Sequence, residues 1–135
     1  LGITGHQSPD ILCECLNSFD FDTVLLPINP AEPQYESFME KVIPLATDKK
    51  MGIIGMKVYL RGLVRKLPIY KGMEPFFRFA LSQPITTAVI GCDNIHQLEE
   101  NVIYAKLFKK MSEKEKNELI NLISPYAKNL MYYKI

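Results

Sequence analysis

Four short apolar runs, each followed by a stretch with helical spacing, constrain this chain more than any other feature of its sequence. The clearest of them cover residues 23–26, 51–58 and 86–90. Strand-like runs that alternate with helix-like stretches are typical of a parallel sheet covered by helices. The run at 23–26 is unbroken, which favours a strand buried on both faces. The sequence therefore predicts an α/β fold built from four consecutive parallel β/α units.

The helices are predicted from capping residues and from apolar residues three or four positions apart. The start signatures are Ser8 with Pro9, Glu74 with Pro75, Asn94 with Gln97, and Ser112 with Glu115. Pro44 is expected to kink or shorten the second helix. For the fourth helix, we expect a core stripe made of Ile95, Leu98, Val102, Ala105 and Phe108. A final helix is expected to end near Ala127.

Composition and charge indicate an ordinary globular domain. Apolar residues make up 47% of the 135 residues, charged residues make up 23%, and the formal net charge is +1. The Lys and Arg residues are scattered, so no nucleic-acid-binding stripe and no membrane-binding face are expected. The three cysteines are an odd number, which fits a reduced cytoplasmic chain better than a disulfide framework.

Two observations suggest that residues 1–135 form half of an eight-stranded β/α (TIM) barrel. Four parallel strands in an open sheet leave two apolar edges unpaired, and such edges are a liability. The sequence also begins at Leu1, directly in a predicted strand and without an initiator Met. We therefore expect a (β/α)4 half barrel plus a C-terminal helix, closed either by an absent N-terminal half or by a second copy of the chain.

The turn after the fourth apolar run has the features of an anion site. The run at 86–90 stops at Gly91, and Asn94 then caps a helix whose first turn is polar. Backbone N–H groups at such a helix start attract phosphate. The sequence therefore places a candidate phosphate site at this turn.

A family resemblance covers nearly all of the chain. It is carried by Gly2-Ile3-Thr4-Gly5-His6, Phe21-Asp22-Thr23-Val24, Gly52-Ile53-Ile54-Gly55-Met56-Lys57, and Val89-Ile90-Gly91-Cys92 with Gln97-Leu98-Glu99-Glu100-Asn101. In this order, these segments resemble the C-terminal half of the aldo-keto reductase family. The resemblance implies a (β/α)8 barrel, here strands five to eight, that binds NADP(H) or NAD(H) without a Rossmann fold. Phosphate would then lie at the loops that begin at Lys57 and Gly91.

The resemblance also implies which residues contact the cofactor. They are Thr4, Gly5, Met56, Lys57, Val58, Gly62, Gly91, Cys92, Asp93, Gln97, Glu100 and Asn101. Thr4 and Gly5 match a Ser-Asn pair that binds the nicotinamide carboxamide, and Met56 matches a Tyr that stacks on the ring. Relatives that prefer NADP often carry Arg at the position of Gln97, which leaves NADP or NAD open, with NADP preferred. His6 is a candidate on the substrate side, and no metal site is expected.

The implied parent protein is an NAD(P)H-dependent oxidoreductase that reduces aldehydes or ketones. The family's catalytic Asp, Tyr, Lys and His lie in the first half of the barrel, so no catalytic residue is expected here. This chain alone is expected to be inactive as a reductase. Two other functions stay open: a lysine-dependent aldolase that forms a Schiff base at Lys57, and a non-catalytic cofactor-binding or assembly module.

Some of these residues also have purely structural interpretations. Lys57 can be a surface lysine with a packed stem, and His6 can be structural or exposed. Cys13 and Cys15 lie on different faces of a helix, so metal binding is not expected, and Cys15 is interpreted as a core residue. Cys92 is interpreted as a small residue that fits a phosphate-binding turn.

Overall fold

The computed structural model describes residues 1–134, which form a four-stranded parallel sheet with helices packed against it. The strands, in spatial order, are β1 (Gly2–Thr4), β2 (Thr23–Pro27), β3 (Gly52–Met56) and β4 (Thr87–Ala88). The helices are α1 (Pro9–Ser18), α2 (Phe38–Asp48), α3 (Glu74–Leu81), α4 (Ile95–Lys106), α5 (Glu113–Ile123) and α6 (Ala127–Leu130). Short 3-10 segments cover Glu32–Gln34, Leu60–Lys66, Ser124–Tyr126 and Tyr132–Lys134. The predicted series of four parallel β/α units is confirmed.

The sheet is buried on its helix-covered face. Val24 pairs with Ile53 and Leu26 pairs with Gly55 in register, and these residues are buried beneath α1 and α2. Leu25, which points to the opposite face, is only half-buried. The expectation that this strand is buried on both faces is therefore wrong, because four strands do not enclose the opposite face.

The two outer strands each have a single neighbour. Strand β4 is limited to Thr87–Ala88, shorter than the predicted run at 86–90. The flanking Thr86 and Val89 N–H groups still donate to carbonyls of β3, at 2.7 and 2.8 Å. The sheet order β1-β2-β3-β4 leaves the outer side of β1 and of β4 without a strand among the described residues.

The local helix signals are confirmed by the capping contacts. Ser8 accepts a hydrogen bond from the N–H of Ile11 at 3.4 Å, and Asn94 accepts one from the N–H of Gln97 at 3.0 Å. A full capping box opens α5, because the side chains of its two partners each bind the other's backbone N–H. These ends are set by local chemistry, which explains why the sequence predicts them well.

Pro44 is expected to kink or shorten helix α2, and the shortening does not occur, because the helix continues through Pro44 to Asp48. Proline removes one backbone hydrogen bond from a helix interior. The buried residues of α2 offset that loss, since Phe38 and Val42 are fully buried against the sheet. Tertiary packing here outweighs the local penalty.

Two apolar clusters hold the fold together. The first lies between the sheet and helices α1 and α2, with Leu16, Val24, Leu26, Phe38 and Val42 fully buried. The second lies around α3, α5 and the 3-10 segment 60–66, with Leu60, Val64, Phe79 and Ile123 fully buried. Among the described helices, none combines the length and apolar character needed to cross a membrane.

Helix α4 differs from its predicted packing. Ile95, Leu98 and Val102 are 74%, 53% and 42% exposed, and Ala105 is exposed as well. Of the expected core stripe, only Phe108, beyond the helix end, is half-buried. The prediction of a core-facing stripe is wrong for this chain because no element within residues 1–134 covers that face.

A second uncovered surface lies beside β1 on helix α1. Ile11 is 63% exposed, and Cys15, interpreted from the sequence as a core residue, is only half-buried. The cysteine that packs against the core is Cys13, whose burial raises the pKa of its thiol. The two uncovered apolar surfaces therefore lie on the two outer sides of the sheet.

Candidate functional site: a cationic cleft at the carboxyl ends of the strands

A cleft of about 500 Å³ opens where the loops after β3 and β4 meet. The carboxyl ends of parallel strands share one edge of the sheet, so the loops that follow them converge there. The lining residues are Lys57, Val58, Tyr59, Arg61, Gly62, Arg65, Met73, Val89, Ile90, Gly91, Asp93 and Gln97. A small extension of the cleft reaches Glu100 and Asn101.

Most of the residues implied as cofactor contacts meet in this cleft. Those that line it are Lys57, Val58, Gly62, Gly91, Asp93 and Gln97, with Glu100 and Asn101 in the extension. Cys92 lies beside them, since the Asn101 side-chain amide donates to its sulfur at 3.1 Å. The loops after β3 and β4 thus line one cleft at the carboxyl ends of the strands.

The loop after β3 has an unusual backbone. Lys57, Leu60 and Arg61 have φ angles of 57°, 50° and 55°, and Gly62 follows at 75°. Non-glycine residues rarely adopt this left-handed conformation, and such residues cluster at functional sites. The fully buried side chain of Leu60 fixes the loop to the second apolar cluster. The strained turn therefore rests on a rigid base at the edge of the cleft.

The cleft carries an excess of positive charge. Lys57, Arg61 and Arg65 line it, whereas Asp93 is the one carboxylate among the main lining residues. Within residues 1–134, none of the three cations pairs with a carboxylate. In this part of the chain, no group of three His, Cys, Asp or Glu side chains comes close enough to hold a metal ion. The arrangement suits a phosphate-like anion.

The start of helix α4 forms another part of the cleft wall. Besides the cap by Asn94, the side-chain oxygen of Gln97 accepts a hydrogen bond from the N–H of Asp93 at 2.8 Å. The side chain of Gln97 therefore stabilises the turn itself. The N-terminus of a helix adds a partial positive charge to such a site.

A hydrogen-bond chain links the two loops of the cleft. The Tyr59 hydroxyl donates to the side-chain oxygen of Asn101 at 2.5 Å, and Asn101 in turn donates to Cys92. Burial raises the pKa of Tyr59 above its ordinary value of 10.0. These two hydrogen bonds connect the loop after β3 to helix α4 and hold the two walls of the cleft at a fixed distance.

Besides Cys92, four residues implied by the resemblance do not line this cleft. Thr4, Gly5 and His6 lie after β1 along a separate open groove beside α1. The Thr4 hydroxyl donates to the Leu25 carbonyl at 3.2 Å, and a ring nitrogen of His6 lies 3.3 Å from the Tyr133 carbonyl oxygen. Met56 is half-buried at the end of β3. Their predicted contacts with the cofactor or substrate stay predictions.

No protein-family model and no curated protein matches the sequence. Among solved structures, the chain is similar to aldo-keto reductase AKR11C1 from Bacillus halodurans in two forms. The apo form gives a TM-score of 0.68 at 16% identity, over 91% of this chain and 50% of that chain. The holo form gives a TM-score of 0.69 at 17% identity, over 91% of this chain and 49% of that chain.

This likeness confirms the fold predicted from the sequence, a (β/α)4 unit that matches half of an aldo-keto reductase barrel. At 16–17% identity, the likeness establishes the fold alone. The chain spans about half the length of the solved structures that it matches. The activity and the ligand of this chain must therefore be inferred from the chemistry of the cleft.

Proposed function

We propose that this chain is the cofactor-binding half of an NAD(P)H-dependent oxidoreductase of the aldo-keto reductase type. One observation carries the proposal: Lys57, Arg61 and Arg65, which pair with no carboxylate among residues 1–134, line a cleft that ends at the start of helix α4. The cleft lies at the carboxyl ends of the last two strands, where β/α barrels bind phosphate. The structural likeness to aldo-keto reductases supports a dinucleotide as the source of that phosphate.

The backbone of the cleft is open enough to accept a pyrophosphate. A Cβ atom added at Gly62 or at Gly91 would meet nothing within 4 Å. A ligand can therefore approach the main chain closely at both positions. The Arg61 and Arg65 guanidinium groups can each bind two phosphate oxygens, while the ammonium of Lys57 acts as a point charge.

The bound nicotinamide would supply hydride to the carbonyl carbon of an aldehyde or ketone. In this proposal, Thr4 and Gly5 after β1 and Met56 after β3 contact the nicotinamide end, and His6 faces the substrate. The proton donor is assigned to the first half of the barrel. This chain accordingly binds and orients the cofactor and is inactive without its partner.

The charge of the cleft favours NADP(H) over NAD(H). Arg65 lines both the main cleft and its extension, next to Gln97 and Asn101. Because the side chain of Gln97 is engaged with the N–H of Asp93, Arg65 is the cation best placed for a 2′-phosphate. We assign to Arg65 the task that an Arg at the Gln97 position has in relatives that prefer NADP.

The missing partner is proposed to be an N-terminal half barrel. The apolar stripe of α4, with Leu98 and Val102, is uncovered on one side of the sheet, and Ile11 of α1 is uncovered on the other. Four further β/α units would pair with both outer strands and bury both surfaces. A second copy of this chain would offer the same two sheet edges, and it is the alternative partner.

The proposal is tested by titrating the 135-residue chain with NADPH and NADH while nicotinamide fluorescence is recorded. We expect binding of both, with NADPH bound more tightly. Arg65→Ala should weaken NADPH binding about 10- to 100-fold, since it removes a charge-assisted contact of about 1.5–3 kcal/mol. Its effect on NADH should be smaller, because NADH lacks the 2′-phosphate.

Lys66→Ala is the matched control, because Lys66 is an exposed cation on the same 3-10 segment that does not line the cleft. It should leave both affinities unchanged. Equal losses in the two variants, or no binding of either nucleotide, would contradict the proposal. Borohydride trapping of a carbonyl substrate on Lys57 would favour the aldolase instead. Binding without turnover in the complete protein would favour a non-catalytic module.

A further inference from the structure

The C-terminal segment Tyr132–Lys134 crosses the carboxyl ends of three strands. Tyr133 contacts His6 after β1 and Asn29 after β2, and Tyr132 contacts Lys57 after β3. The segment therefore lies on the same edge of the sheet as the cationic cleft. Neither the sequence motifs nor the proposed cofactor contacts give it a role.

A buried polar cluster around Glu32 anchors the segment. The Tyr133 hydroxyl donates to one carboxylate oxygen of Glu32 at 2.6 Å, and the Lys134 ammonium donates to the other at 2.9 Å. The side chains of Glu32 and Lys134 are 0% and 2% exposed. Asn29 donates to the Tyr133 hydroxyl at 2.9 Å. Because each of these four side chains is hydrogen-bonded within the cluster, the cluster gives the segment one defined position.

The ring of Tyr132 lies close to two cations that line the cleft. The Lys57 ammonium is 5.6 Å from the ring centroid, and the Arg61 guanidinium carbon is 5.3 Å from it. Tyr133 packs edge-on against the same ring at 5.3 Å. The Tyr132 hydroxyl is buried and finds no hydrogen-bond partner among the described residues. The ring, and not the hydroxyl, is therefore the part of this side chain that has defined contacts.

We propose that Tyr132 is a positioning residue that holds Lys57 and Arg61 at the anion cleft. Two neighbouring cations repel each other and would move apart into solvent. The negative face of an aromatic ring attracts both without neutralising either, so their charges stay available to a ligand. The Glu32 cluster keeps the ring in place. The C-terminal segment thus becomes part of the ligand site. The identity of the ligand rests on the proposed function, whereas the contact between ring and cations does not.

The contact between ring and cations is tested without ligand by NMR. In the wild-type chain, the side-chain methylene protons of Lys57 and Arg61 should show ring-current shifts. Tyr132→Leu should abolish these shifts and Tyr132→Phe should keep them, while Phe19→Leu, at an exposed aromatic residue after helix α1 and away from the cleft, should leave them unchanged. Shifts that persist in Tyr132→Leu would overturn the inference, whatever the ligand is.

The effect on the site is tested by NADPH titration of the same variants, after circular dichroism shows that each is folded. Tyr132→Leu should weaken binding about 3- to 10-fold, and Tyr132→Phe should stay within about twofold of the wild type. A loss in Tyr132→Phe as large as in Tyr132→Leu, or no loss in either, would overturn the positioning role. If the wild-type chain binds no NADPH, the proposed function fails, and the NMR shifts still decide whether the ring holds the cations.

Discussion

Helices α2 and α4 have similar sequence signals, but the apolar residues of α2 are buried and those of α4 are exposed. Each begins at a side-chain cap and carries apolar residues at helical spacing. In α2, Phe38 and Val42 are fully buried, whereas in α4, Leu98 and Val102 are 53% and 42% exposed. The difference lies in the neighbours: α1 and the sheet cover α2, while the apolar stripe of α4 faces outward. An apolar stripe thus predicts that a face will be buried, but it does not predict by what.

The largest effect should come from the buried side of this comparison. Phe38→Ala removes a fully buried aromatic ring that joins α2 to the sheet. The free energy of unfolding should fall by about 3–5 kcal/mol, from lost burial and the cavity left behind. Urea denaturation followed by circular dichroism measures it. A loss below about 1 kcal/mol would show that α2 is not the packed helix described here.

A smaller, pH-dependent effect is expected at α5, which is partly covered. The N–H and hydroxyl of Ser112, with Arg78, lower the pKa of Glu115 below its ordinary value of 4.5. A carboxyl group whose pKa is lower in the folded state stabilises the fold above its unfolded pKa, and this contribution is lost as pH falls through the folded value. Glu115→Gln should therefore be less stable than the wild type at pH 7.

That stability difference should shrink as the pH falls below 4.5. Denaturation midpoints at pH 7, 5, 4 and 3 give the measurement. Glu118→Gln on the same helix is the control, since Glu118 is exposed and lies outside the capping box. A difference that stays constant with pH would contradict the role given to the ionised carboxylate.

The smallest effect is expected at the uncovered helix. Leu98→Ala in α4 should change the free energy of unfolding of this chain by no more than about 0.5 kcal/mol, because exposed positions tolerate truncation. In a protein that contains both halves of the barrel, the same substitution should cost about 2–5 kcal/mol, as at a buried leucine. Equal costs in the two contexts would mean that no partner covers α4.

Local signals explain how much of the fold the sequence predicts. Caps such as Asn94 and turn residues such as Gly91 act within a few positions, so the sequence is sufficient to place them. The burial of Cys15 or Leu98 depends on which distant elements cover these residues, and there the sequence prediction is wrong. Pro44 shows the same limit, because packing of α2 outweighs a local penalty.

The residues of the candidate site that lie at strand ends could be predicted from the sequence, whereas those in the loops were harder to predict. Lys57 and Gly91 follow directly from where β3 and β4 stop, and the cleft does form there. Tyr59 and Arg65 reach the cleft because the loop between them turns through left-handed residues, which no local pattern indicates. The available signal was that both carry polar groups in the loop that follows an apolar strand. Tyr132 is brought there by the buried contacts that Glu32 makes with Tyr133 and Lys134, which are 101 and 102 positions away from it.

The most direct test is hydrogen exchange in the 135-residue chain with and without saturating NADPH. The first-turn amides of α4, at residues 95–97, line or adjoin the cleft, while those of α2 lie in the core beside the sheet. NADPH should slow exchange in the first turn of α4 and in the loop 57–62, and it should leave α2 unchanged. Exchange at α4 and the loop that does not respond to NADPH would contradict a phosphate site in the cleft.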